Sequence, residues 1–114
     1  MDQTNRLNEF RRLILEVLNM HAQMKGEPAW IQSRVESDLS GDTHRLIDHD
    51  PRKNGGTDYV VVELRLFEGK VWVLNDGIEY GIAEDLLEAG IPAEDIVEEF
   101  EELPSFAYAE AQAA

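Results

Sequence analysis

Residues 64–77 read Leu64-Arg65-Leu66-Phe67-Glu68-Gly69-Lys70-Val71-Trp72-Val73-Leu74-Asn75-Asp76-Gly77. Two apolar segments flank a tight turn at Glu68-Gly69, and a second turn follows at Asp76-Gly77. Each turn carries a glycine, which takes φ > 0 without a Cβ clash. Ile82–Ala89 and Ala93–Phe100 then read as two short helices. Gly90 stops the first, and Pro92 starts the second, where its missing N–H costs nothing.

Upstream, residues 58–67 alternate with period 2. Val60, Val62, Leu64 and Leu66 predict one apolar face; Tyr59, Val61, Glu63, Arg65 and Phe67 predict the other, which is half polar. One apolar face argues for an antiparallel sheet covered on one side. Residues 71–74 pair back through the Gly69 turn, with Trp72 and Leu74 expected to pack beside the apolar face. Residues 30–38 and 43–49 read as two further strands, joined at Ser40-Gly41-Asp42, and Asp50 to Gly56 reads as a loop.

Residues 4–25 predict the first helix. Leu7, Phe10, Ile14, Val17, His21 and Met24 recur at steps of three and four, and Leu13, Leu18 and Met20 widen the stripe. Asp2 or Thr4 suits the start and Gly26 the end. The expected fold is α+β, in a single domain over residues 1–114: an N-terminal helix, an antiparallel β-meander of about four strands and two short C-terminal helices.

Charge narrows the function. The chain carries net charge −14, unevenly placed. Residues 1–57 hold 8 Lys/Arg against 9 Asp/Glu, and residues 58–114 hold 2 against 15. Nucleic-acid affinity comes largely from Lys and Arg neutralising phosphates, so no direct specific DNA binding is expected. The second half suits solubility or a basic protein partner. With no cysteines, disulfides and thiolate catalysis are excluded, which fits a reducing compartment. No segment is apolar for long enough to span a bilayer, so no membrane role is expected. Charged residues at the N-terminus do not suit a secretory signal. The expected location is cytoplasmic.

Motifs for chemistry fail on geometry. His44, Asp48, His49 and Asp50 are ligand types, but neighbours on a strand point to opposite faces. Asp58 with Glu63-Leu64-Arg65 approaches a metal-dependent nuclease pattern, but Asp58 is too close in sequence to come from a separate strand, and Arg65 stands where a lysine is needed. Gly55-Gly56 lacks the sequel of a phosphate loop. Residues 86–100 imitate a helix-turn-helix whose second helix carries only carboxylates, which repel phosphate. Catalytic, cofactor-binding and metal residues are therefore none. The residues expected to bind a partner are Glu94, Asp95, Glu98, Glu99, Glu101 and Glu102. Like charges at i,i+4 there cost a few tenths of a kcal/mol each, so stability gives no reason for the crowding.

Four pieces in order carry a resemblance. They are Lys70-Val71-Trp72-Val73, Asp76-Gly77-Ile78-Glu79, Gly81-Ile82-Ala83, and Gly90-Ile91-Pro92-Ala93-Glu94-Asp95-Ile96-Val97. Together they resemble the C-terminal half of the XisI family, small bacterial proteins named as excision controlling factors of the fdxN DNA element. Ser105-Phe106-Ala107-Tyr108-Ala109 is similar to the family's ending. His49 to Gly56 departs from the family's aromatic segment, so partner contacts through that loop are expected to differ. The resemblance implies a non-enzymatic accessory factor that assists a recombinase through protein contacts, often paired with an XisH-like protein that resembles nucleases. The alternative is an acidic, antitoxin-like inhibitor of such a nuclease-like partner, its carboxylates mimicking DNA. Self-association into a homo-oligomer is open. The resemblance carries over no catalytic residue.

Overall fold

A computed structural model of the chain describes residues 3–24 and 28–98. Helix α1 (Gln3–Gln23) is followed by strands β1 (Gln32–Asp38), β2 (Thr43–Asp50), β3 (Thr57–Phe67) and β4 (Lys70–Asp76). Helix α2 (Ile82–Ala89), a 3-10 turn (Ala93–Asp95) and the two-residue strand β5 (Ile96–Val97) complete the order. The fold is α+β, as the sequence predicts. The sheet has five strands in the order β1-β2-β3-β4-β5. The first four pair antiparallel and β5 joins β4 in parallel, so the sheet is mixed.

Both helices lie on one face. Phe10, Ile14 and Leu18 of α1 and Ile82 and Leu86 of α2 meet Leu46, Val62, Leu64, Val71 and Val73 in a single core. The α1 stripe is shorter than its sequence suggests. Met20 is 46% exposed although Leu13, one heptad earlier, is buried. Seven residues bring a helix back to nearly the same azimuth, so the Leu13 side of the stripe leaves the core by Met20, while Ala22 still packs against it.

Two register shifts reshape the sheet. Leu46 stands opposite Val62 and Ile47 opposite Val60, which leaves Val61 as the extra residue of a bulge. A bulge reverses the alternation beyond it. Val60, expected in the apolar face, therefore turns to the helix-free face and is 44% exposed. A second shift sets Leu64 opposite Val73 and Glu63 opposite Asn75. Val71 and Val73 enter the core, while Trp72 stands on the opposite face. There it is half-buried and edge-on to Phe67, and its Nε1–H donates to the Phe67 carbonyl at 3.2 Å. The expectation that Trp72 packs into the core is corrected.

The turns use glycine in two ways. Glu68 and Gly69 both adopt φ > 0, at 51° and 77°, the geometry that matches the twist of a two-residue hairpin. Gly77 does not take positive φ, contrary to expectation. Its N–H donates to the Val61 carbonyl at 2.6 Å, and a Cβ there would lie 2.9 Å from that oxygen. Close approach of two backbones, not handedness, requires glycine.

The second C-terminal helix is corrected over its described part. After Pro92 the chain makes one 3-10 turn and then becomes extended, pairing Ile96 with Val71 and Val97 with Trp72. Consecutive β-branched residues fit a pleated surface better than a helix. The expected helix end near Gly26, the Asp2 cap, residues 99–100 and the tail from Ser105 lie outside the described residues.

Candidate partner-binding surface

The acidic segment splits on folding. Glu94 is exposed on the 3-10 turn, and its carbonyl accepts a hydrogen bond from Lys70 Nζ at 3.0 Å. Glu98 is exposed beyond β5. Asp95 turns inward: the residue is 6% exposed and its carboxylate is paired with Arg6 of α1. Asp95 is thereby set apart from the exposed Glu94 and Glu98. Glu99, Glu101 and Glu102 lie outside the described residues.

Arg6, Leu7, Glu68, Gly69, Lys70 and Asp95 line an open cleft of about 480 Å³ between the start of α1, the β3–β4 turn and the 3-10 turn. Its two cations are already engaged, Arg6 by Asp95 and Lys70 by the Glu94 carbonyl. These two contacts and the pairing of β5 with β4 hold the segment at the sheet edge, with Glu94 and Glu98 exposed.

Several other cations among the described residues are also engaged. Arg11 grips Asp42 through two hydrogen bonds of 3.0 and 2.7 Å. Arg12 bridges Glu9 and Glu16, Arg34 bridges Glu36 and Asp58, and Arg45 meets Glu63. Arg52 lies over the Trp30 ring at 3.9 Å and Lys53 over Tyr59 at 5.2 Å.

The histidines and carboxylates screened for metal binding are each held by other partners. His44 is fully buried. Its Nε2 meets Asp42 at 2.8 Å, so Nε2 carries the hydrogen, and its Nδ1 meets Ser37 Oγ at 2.7 Å. Burial raises the Asp42 pKa, but hydrogen bonds from Arg11 and His44 outweigh it and hold the group below its ordinary value. His49 pairs with Asp58 at 2.7 Å, whereas Asp48, on the opposite side of β2, accepts from Ser33 at 2.7 Å. Asp50 accepts from the Arg52 backbone N–H. Among the described residues, no group of three His, Asp or Glu side chains could hold a metal ion. Glu63 faces Arg45 and Asp58 faces Arg34 and His49, so the nuclease-like residues do not converge.

One cluster has no signal in the local sequence. His21, near the end of α1, meets Asp85 at 2.6 Å, and the Tyr80 hydroxyl donates to the same carboxylate oxygen at 2.5 Å. That bond to Asp85 pushes the Tyr80 pKa up to about 12. His21 occupies an apolar-stripe position, and its partner is 64 residues away. The cluster clips α1 to α2 beside the core.

Among the described residues, no helix is long and apolar enough to cross a membrane. The family model described as XisI protein matches residues 1–110. The chain is similar to the crystal structure of fdxN element excision controlling factor XisI from Anabaena variabilis ATCC 29413, with TM-score 0.66 and 22% identity over 85% of this chain and 88% of that one. It is also similar to a XisI-like protein from the same strain, with TM-score 0.70 and 20% identity over 81% and 84%. At these identities the likeness to the solved structures concerns the fold alone. No curated protein matches the chain.

Proposed function

The chain belongs to the XisI family, and on that premise we propose that it is a non-catalytic accessory factor for excision of a DNA element, acting through protein contacts rather than by gripping DNA. One observation carries this reading. Five of the chain's arginines, Arg6, Arg11, Arg12, Arg34 and Arg45, are committed to its own carboxylates. A protein that held duplex DNA would need such cations for phosphates. The fdxN element excision controlling factor XisI, which shares the fold, is named for control and not for a reaction. The partner surface is the acidic rim at Glu94 and Glu98, continued in sequence by Glu99, Glu101 and Glu102. The partner is a protein with a basic face, a component of the excision machinery or an XisH-like protein in a reducing cytoplasm.

The test combines two measurements. Duplex DNA titrated with the protein alone at physiological salt should show no sequence-selective binding; sub-micromolar selective binding overturns the proposal. Glu94→Lys with Glu98→Lys should slow association with the basic partner at low salt and matter less at high salt, because steering is screened. An unchanged rate at both salts removes the acidic rim from the interface.

A further inference from the structure

β1 is an edge strand: among the described residues its strand neighbour, β2, lies on one side only. Seven residues of edge present main-chain N–H and C=O groups on which another strand can pair. Some of the devices that commonly blunt an edge are missing within it, although it carries the charged residues Arg34, Glu36 and Asp38. Gln32–Asp38 contains no proline and no lysine, and its register with β2 is unbroken.

The strand is self-complementary about Val35. Suppose two copies pair antiparallel with a two-fold axis at that residue. Residues equidistant from Val35 then stand opposite one another, as an isologous contact requires. Arg34 of each copy meets Glu36 of the other. Ser33 meets Ser37, and Gln32 meets Asp38. One step past the strand ends, half-buried Ile31 meets Leu39, which at 76% exposed is the most exposed of the large apolar residues described.

Charge fits the same arrangement. Arg34 Nε already lies 2.9 Å from Glu36 Oε1 on its own strand, with Asp58 2.8 Å from the other end of the guanidinium. The two-fold sets this pair beside its inverted duplicate, so Arg34 and Glu36 of the two copies alternate in sign across the interface, with each copy's Asp58 at the outer end of its own arginine. Opposite charges on directly facing residues favour strand pairing, and like charges oppose it. A strand from a foreign protein would have no need of this inverted symmetry. The edge also sits in the half of the chain with nearly balanced charge, where two strongly acidic molecules repel least.

We propose that β1 is a homodimerisation edge, joining the sheets of two copies antiparallel across Val35. This is independent of the accessory role. Light scattering on the purified full chain should give twice the monomer mass of 13.0 kDa. Arg34→Glu and Glu36→Arg each set like charges opposite one another and should each halve that mass. The double swap, Arg34→Glu with Glu36→Arg, should restore the dimer, and mixing the two single variants should give a heterodimer. A second readout does not depend on charge. The chain lacks cysteine, so Val35→Cys should oxidise to a covalent dimer, because the residue faces its own copy. Ser33→Cys should not, because its Cα atoms lie beyond the reach of about 7 Å that a disulfide allows. A monomer at every concentration, a dimer that persists in both single charge variants, or cross-linking at residue 33 in place of 35 overturns the proposal.

Discussion

The Asp95 carboxylate is paired with the Arg6 guanidinium, across 89 positions of sequence. The pair ties the segment after α2 to the first turns of α1 and holds β5 against β4. The carboxylate end is 9% exposed and the arginine end 47%, so the two partners should respond differently to removal. Arg6→Ala leaves a nearly buried acceptor without its charged donor and should cost about 1–3 kcal/mol, toward the lower end because water reaches the arginine side. Asp95→Asn removes the charge and should cost less. Urea denaturation midpoints check the order; equal losses would place the carboxylate in water.

Gly77→Ala should destabilise the fold by about 1–3 kcal/mol, the usual cost of forcing a methyl into a filled space. The new Cβ would meet the Val61 carbonyl oxygen at 2.9 Å, and backbone on both sides must move. Thermal unfolding of the variant beside Gly69→Ala separates the causes. At Gly69 nothing lies within 4 Å of an added Cβ, so that loss reflects φ alone.

Leu64→Ala should cost more than Trp72→Ala. Leu64 is fully buried in the core, where truncation costs about 2–5 kcal/mol. Trp72 is half-buried on the helix-free face, and its loss should fall in the ordinary range of about 0.5–3 kcal/mol. Chemical denaturation of both variants in one buffer checks the order. A larger loss at Trp72 would mean that the helix-free face is covered in solution.

The carboxyl group of Asp58 should titrate near pH 2. The hydrogen bond from Arg34 and then that from His49 lower it from 3.8 to about 2. Its folded-state pKa is depressed, so its contribution to stability is present above the ordinary carboxylate range and is lost as pH falls from about 4 toward 2. Arg34→Ala should move the midpoint back up toward 3.8. Carboxyl-carbon NMR on the two proteins checks the direction. An unmoved midpoint would exclude Arg34 as the main cause.

What the sequence determined by itself is what neighbouring residues settle among themselves. The period-2 run at Val62, Leu64 and Leu66, the stripe at Phe10, Ile14 and Val17, the Glu68-Gly69 turn and the bounds of Ile82–Ala89 all express preferences acting within about a dozen residues. The acidity of the 94–102 segment was legible in the same way, and so was its crowding. Tertiary structure decided the rest. Val60 left the core face because pairing with Ile47 across a bulge reversed the alternation, and no local pattern encodes a partner strand's register. Ile96 and Val97 became strand because the β4 edge was there to pair with. Asp95 turned inward because Arg6 waited at the far end of the chain, and His21 found Asp85 by the same long-range packing. Composition sets a side chain's charge, but which way it points depends on surfaces that only the folded chain brings together.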